Sequence, residues 1–262
     1  MFGGPLTFLW RRAPTHCLLG ALALILIAGV LFRRAYPHLS WAAVLGLTGL
    51  GVFGHVFADL WNSYGVVLLW PFTWHRFHLD WTFIVDLAIW GILGAGLIAG
   101  LAFRSYKETI WRGALSLLAV YIGICACGRV ESRNLLARQA GHEGVQTEAA
   151  FFYPEPFGPR RFRGIWLQGG RYSVYQIWPF EGKVDLLETL EAEEQSPVVK
   201  AARATSAGRR LDRFYSTPVW RLADDGQAAV VYGLGFRSKI LSGRSPFVFR
   251  VTPDGRVARY SP

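Results

Sequence analysis

Four apolar runs occupy the first half of the chain, and a shorter alternating pattern takes over in the second. The runs cover residues 15–32, 41–60, 82–103 and roughly 110–128. Each approaches the ~20 residues that cross ~30 Å of hydrocarbon. Fixed charge within them is confined to Asp59, Asp86 and Arg112. The pattern predicts about four transmembrane helices. Glycines recur through the second and third runs, which suits close approach of helix backbones in lipid. Between these two runs, residues 61–81 hold Pro71 and seven aromatic side chains. The apolar middle of that segment is too short to span, so it reads as an interfacial or partly re-entrant loop, with Pro71 breaking any helix.

Past Gly128 the pattern changes. Residues 129–140 read as a short amphipathic helix leaving the membrane. Alternating stretches follow at 162–168, 171–178, 228–236, 247–251 and 256–260. The pairs Gly169-Gly170 and Asp254-Gly255 between such stretches are hairpin signals. Residues 181–215 are charged and less regular, and suit either a helix or a long loop. The fold expected is a membrane α-helical bundle of about four transmembrane helices, followed by a mostly β soluble C-terminal domain. Its expected parts are a transmembrane domain at 1–128, a linker at 129–150 and a β-rich domain at 151–262.

Composition sharpens this picture. The net charge is +10, but residues 1–128 hold only eight of the 28 Lys and Arg and four of the 18 Asp and Glu. A bilayer selects such an apolar, acid-poor half. Eight of the eleven Trp fall within the first 111 residues, near the ends of apolar runs, as an interfacial aromatic belt would have them. The tail mixes both signs and carries no basic stripe, so nucleic acid is not expected as a partner; membrane lipid is. The three cysteines, Cys17, Cys125 and Cys127, lie in or beside apolar runs, and the tail offers no disulfide framework. The first run lacks a small-residue cleavage site and reads as a retained helix. Basic residues divide six against five between the two sides, which leaves orientation open.

With four crossings, the start of run one, the end of run two and the start of run three share a side. That places His16, His55, Asp59, Asp80 and Asp86 at one membrane face. His55 and Asp59 are spaced i, i+4 and so share a helix face. An imidazole and a carboxylate so arranged can bind one metal ion, and zinc accepts the mixed set. Asp80 precedes an apolar helix and could cap it; Asp86 lies one to two turns further in, where a carboxylate is a functional candidate. Plainer roles stand beside these. His55 and Asp59 could form a hydrogen-bonded pair, Asp86 could pair with Arg76, and His75 and His78 suit an interfacial loop.

These residues carry a resemblance. The chain reads RRAPTH at residues 11–16, HVFAD at 55–59, then Asn62, Ser63, Tyr64, Gly65, Pro71, Phe72 and Arg76, and LDWTFIVD at 79–86. In these segments it resembles the YdjM-type family of inner-membrane metal-dependent hydrolases, also described as LexA-binding membrane-associated hydrolases. PEPFGPRRFRGIW and PFVFRVTPDGRV in the tail are similar to that family's C-terminal extension, though less diagnostic. The sequence departs from the family pattern at Arg11, where the family has His, and at Ala13, where it has Gly. The family's earlier Thr-His and Pro-Asp-x-Asp segments have no counterpart before Arg11.

The resemblance and the residues together suggest a membrane-bound metal-dependent hydrolase of a bacterial inner membrane. His16, His55 and Asp59 would hold a divalent ion, zinc by donor set. Asp80 or Asp86 would serve as further ligand or general base. Asn62, Ser63, Tyr64 and Arg76 would meet a phosphoester or lipid-like substrate. A non-catalytic membrane scaffold, with a β domain that binds a partner, is the alternative. A small transporter using Asp86 is a third reading, against which the absence of a repeat argues.

Overall fold

A computed structural model of the chain describes residues 13–143, 149–156, 158–238, 245 and 247–260. Arg11 and Arg12 lie outside the described residues. The chain divides into two compact units. One comprises Met1–Leu79, Gln195–Leu234 and Phe247–Pro262; the other comprises Asp80–Glu194 and Gly235–Pro246.

The first unit begins with the short turn α1 (Ala13–His16), then α2 (Leu18–Ala35) and α3 (Trp41–Leu60). Run one was expected to be a single helix, and the chain instead breaks at Cys17. This residue is extended (φ −78°, ψ 162°), and its sulfur accepts the Gly20 N–H as the N-cap of α2. Ser40 caps α3 in the same way through Ala43 N–H. Both helices are long and apolar enough to cross a membrane. Ala21, Ile25 and Gly29 form the buried stripe of α2, while leucines such as Leu26, Leu31, Leu47 and Leu50 stay exposed. Apolar side chains exposed this widely suit lipid as their solvent. After residues 61–79, which contain no helix, this unit resumes with α6 (Pro197–Ala204), α7 (Ser206–Phe214) and four antiparallel strands in order. They are β5 (Pro218–Leu222), β6 (Ala229–Gly233), β7 (Val248–Val251) and β8 (Val257–Arg259). Val199, Leu211, Trp220 and Val231 are fully buried here. Asp212 ties α7 to its neighbours, accepting from the Trp220 indole at 2.8 Å and from Arg203 at 2.7 Å.

The second unit holds α4 (Leu87–Ala102), α5 (Lys107–Glu143) and the sheet β1 (Ala149–Pro154), β2 (Phe162–Gln168), β3 (Arg171–Trp178), β4 (Lys183–Glu191), again antiparallel in sequence order. Run three therefore begins five residues later than its apolar pattern suggests, because residues 81–85 stay irregular and Asp86 caps the helix. About four spans were expected; among the described residues three helices, α2, α3 and α5, are long and apolar enough to cross a membrane, and α4, at 16 residues, is apolar but shorter. The α4–α5 contact depends on glycine: a Cβ on Gly100 would lie 2.1 Å from the Trp111 indole nitrogen. Helix α5 is 37 residues long and carries on across Gly128, so the amphipathic segment expected at 129–140 continues the membrane helix without a break. Its distal turns place Leu135 and Leu136 in one core with Phe152, Phe162, Trp166, Tyr175 and Ile177 of the sheet. Strand β4 falls where only a helix or loop was expected; its sequence, KVDLLETLE, is half exposed and too charged to announce a strand. Under this sheet, Arg163 and Glu155 form a buried ion pair at 3.3 Å, and Ser238 donates to the same carboxylate.

Candidate metal centre

In the first unit the antiparallel pair α2–α3 puts the start of one helix beside the end of the other. His16 ends α1, immediately before the Cys17 cap. His55 and Asp59 lie in the last turns of α3, on one face. The break at Cys17 is held from outside the helix: Leu18 N–H donates to Leu68 O at 2.9 Å. The segment after α3 is pinned in turn by Leu79 N–H to Leu60 O at 2.8 Å and by two bonds between Val66 and Phe77, each 2.9 Å.

Three ligand atoms meet here. The Nε2 atoms of His16 and His55 are 3.3 Å apart. Asp59 Oδ2 lies 3.3 Å from His16 Nε2 and 3.8 Å from His55 Nε2. A tetrahedral ion with bonds of ~2.0–2.1 Å separates its ligands by about 3.3–3.4 Å. Two edges of the triangle match that spacing and the third is slightly open. The donor set, two imidazoles and one carboxylate, is one that catalytic zinc uses while keeping a fourth position for water or substrate. Asp59 and His16 are mostly buried, whereas the His55 side chain is 64% exposed, so the site has an open side.

Thr15 completes the arrangement. Its Oγ1 is 2.8 Å from His16 Nδ1. With Nδ1–H donating to the hydroxyl, Nε2 carries the lone pair and points it at the triangle.

Three of the four loop residues read as substrate ligands, Asn62, Tyr64 and Arg76, have structural partners. Asn62 is buried, and its Oδ1 accepts the Tyr64 N–H at 2.8 Å. The Ser63 hydroxyl is buried without a hydrogen-bond partner among the described residues. Arg76 donates to Tyr64 O at 3.3 Å and Gly65 O at 3.4 Å. Its guanidinium lies 5.4 Å from the centre of the Tyr64 ring and 5.0 Å from that of Phe214 at the end of α7. Gly65 has φ +72°, and a Cβ there would also press on Arg76 Cβ at 3.1 Å. Phe214 is the contact that the sequence pattern missed, since nothing local links α7 to a loop about 140 residues earlier.

Asp80 and Asp86 belong to the second unit. Asp86 was expected one to two turns inside its helix and is instead its N-cap. Its Oδ1 accepts from Ala88 and Ile89 N–H, and its Oδ2 accepts the Tyr121 hydroxyl at 2.7 Å. Asp80, expected as a possible cap, is buried in the irregular segment with φ +55°, close enough to Arg129 to interact with it electrostatically.

Long apolar helices with lipid-suited surfaces, antiparallel sheets and a polar cluster at one end of a helix pair define an integral membrane protein. The profile of the YdjM inner membrane protein family matches residues 1–132, which include the cluster, its loop and most of α5. The chain belongs to that family and is a protein of the inner membrane. No curated protein and no solved structure matches it.

Proposed function

We propose that this protein is a membrane-bound metal-dependent hydrolase that acts on a phosphoester or lipid-like substrate at the membrane surface. His16, His55 and Asp59 hold one divalent ion, zinc by the nature of the donors. The observation that carries this reading is the triangle of ligand atoms, whose edges of 3.3, 3.3 and 3.8 Å suit one tetrahedral ion. Such an ion acts as a Lewis acid toward a phosphoryl or carbonyl oxygen and lowers the pKa of its water toward ~7.

The chain's own residues do the rest. Thr15 fixes the tautomer and direction of His16. Asp59 contributes a negative charge that offsets part of the charge of a divalent ion. The exposed edge of His55 leaves room for a substrate to approach from water. Asn62 and Arg76 hold the loop that packs against the start of α2, and Tyr64, half-buried in that loop, is the residue proposed to contact substrate. Asp86 is engaged in capping and with Tyr121, which favours a structural role for its carboxylate.

The test is hydrolysis by the purified full chain in mild detergent, with added zinc, of bis-p-nitrophenyl phosphate and of phosphatidic acid in mixed micelles. Turnover that a chelator abolishes, that zinc restores and that His55→Ala lacks would support the proposal. A zinc-loaded protein that cleaves no phosphoester or carboxylic ester in such a panel would favour the scaffold.

A further inference from the structure

A second polar site lies in the other unit, where the first sheet meets the membrane end of α5. Two observations mark the level of the bilayer surface there. Helix α4 starts at Asp86, which holds Tyr121 of α5. The apolar run of α5 ends seven residues later, at Gly128. Those seven residues rise about 10 Å, enough to cross one headgroup layer of ~5–8 Å. The sheet's loops lie against this step. A Cβ on Gly128 would touch the Pro159 carbonyl oxygen and the Phe180 ring, and one on Gly158 would touch the Tyr121 hydroxyl. Phe180, in the turn between β3 and β4, is 56% exposed, as an interfacial anchor would be.

Between these two loops lies a cavity of about 400 Å³ lined by Pro156, Arg160, Arg161, Trp178 and Glu181. Lys183 adds a third cation, its ammonium 4.8 Å from the centre of the Trp178 ring. Three carboxylates face these groups, one of them Glu155, which lies near enough to Arg161 to feel its charge but is paired with Arg163 at 3.3 Å. Glu181 is a loose 4.0 Å from Arg160, and Asp185 is paired with Lys183 at 2.7 Å. Arg161 has no carboxylate within ion-pair distance among the described residues. The balance is cationic, with an indole wall, at headgroup depth. We propose that this cleft binds the phosphate headgroup of an acidic phospholipid and thereby seats the first sheet on the bilayer. Arginine suits a phosphodiester through paired N–H donors, and Trp178 packs against the glycerol side. The cleft is independent of the metal centre and stands or falls apart from it.

The experiment uses the full chain reconstituted in phosphatidylcholine vesicles, with trace spin-labelled phosphatidylglycerol or spin-labelled phosphatidylcholine. The immobilised fraction of each label gives their relative association. Wild type should prefer phosphatidylglycerol. Arg160→Ala/Arg161→Ala should lower that preference at least about fivefold, the scale of one basic residue at an anionic surface. Glu181→Gln should raise it about twofold by removing a competing carboxylate, a gain that a misfolded protein would not give. Arg171→Ala, which removes a cation paired with Glu191 at the β2–β3 turn, should change nothing. Inorganic phosphate at 10 mM should leave the preference intact. The proposal is overturned if wild type shows no preference, if the double variant retains it, or if inorganic phosphate abolishes it, which would mark a site for soluble anions.

Discussion

Thr15 offers the sharpest mutational probe of the metal centre, because its contact with His16 falls on Nδ1, the ring nitrogen away from the candidate ligand atom Nε2. Its hydroxyl is 2.8 Å from Nδ1, and replacing it with valine keeps the shape while removing the acceptor. The imidazole is then free to take the other tautomer, with a proton on Nε2, and to rotate away from Asp59 and His55. Loss of such an outer partner typically weakens metal affinity about 10- to 100-fold, equivalent to about 1.4–2.7 kcal/mol. The assay is competition for zinc between the full chain in detergent and a chromophoric chelator, for wild type, Thr15→Val and Thr15→Ser. Serine keeps the acceptor and should lie within about threefold of wild type. If Thr15→Val binds zinc as tightly as wild type while His55→Ala loses it, the tautomer argument fails and the 2.8 Å contact is incidental.

Other outcomes follow from the same contacts. Arg76→Lys keeps the charge but loses the planar donor that serves two carbonyls between two rings. It should destabilise the loop by about 1–3 kcal/mol in a denaturant titration, whereas a simple charge requirement would leave lysine equivalent. Asp86→Asn retains a good cap and should bind zinc like wild type. Asp86→Ala loses the cap and should cost about 0.5–2 kcal/mol of stability; a large loss of turnover in Asp86→Asn would instead make the carboxylate catalytic. Arg163→Met strands the buried Glu155 and should cost about 3–5 kcal/mol, with Glu155→Gln/Arg163→Met recovering part of it. Burial pushes the Glu155 carboxyl above its usual range, with Arg163 and the Ser238 hydroxyl drawing it back. A folded value above the unfolded one favours folding most below about pH 4.3 and loses that contribution as pH rises through the raised value. Glu155→Gln, which mimics the protonated acid, should therefore fare better against wild type at pH 7 than at pH 4 in thermal unfolding.

The membrane helices were legible because lipid imposes one rule, about 20 predominantly apolar residues, and α3 spans Trp41–Leu60 as its run predicts, with Asp59 its one fixed charge. Run three misled by five residues because the segment 82–85 reads as apolar as a helix, while only the cap geometry of Asp86 shows where the turns begin. Strands β2 and β3 match the alternating stretches at 162–168 and 171–178, joined by two glycines with positive φ. Strand β4 was hidden because one of its faces is solvated and its partner, not its sequence, makes it a strand. The division of the β-rich half into two sheets, each grouped with different helices, depends on long-range packing such as Leu136 under Phe162, which no local pattern encodes. For the candidate site, the i, i+4 spacing of His55 and Asp59 was readable from periodicity. The addition of His16 required only that two consecutive membrane helices run antiparallel. What could not be read was the loop's allegiance to α7 through Phe214, or that Asp86 is taken up by Tyr121.

The central claim is that three side chains from two helix ends share one ion. Its most direct test is elemental analysis of the full chain purified in mild detergent, beside His55→Ala/Asp59→Ala, with zinc added back and excess removed before measurement. The account predicts close to one zinc per chain in wild type and none above background in the double variant. X-ray absorption should then show two imidazole nitrogens near 2.0–2.1 Å and oxygen ligation near 2.0–2.2 Å. A folded wild type that retains no metal after add-back, or equal zinc in the double variant, would contradict it.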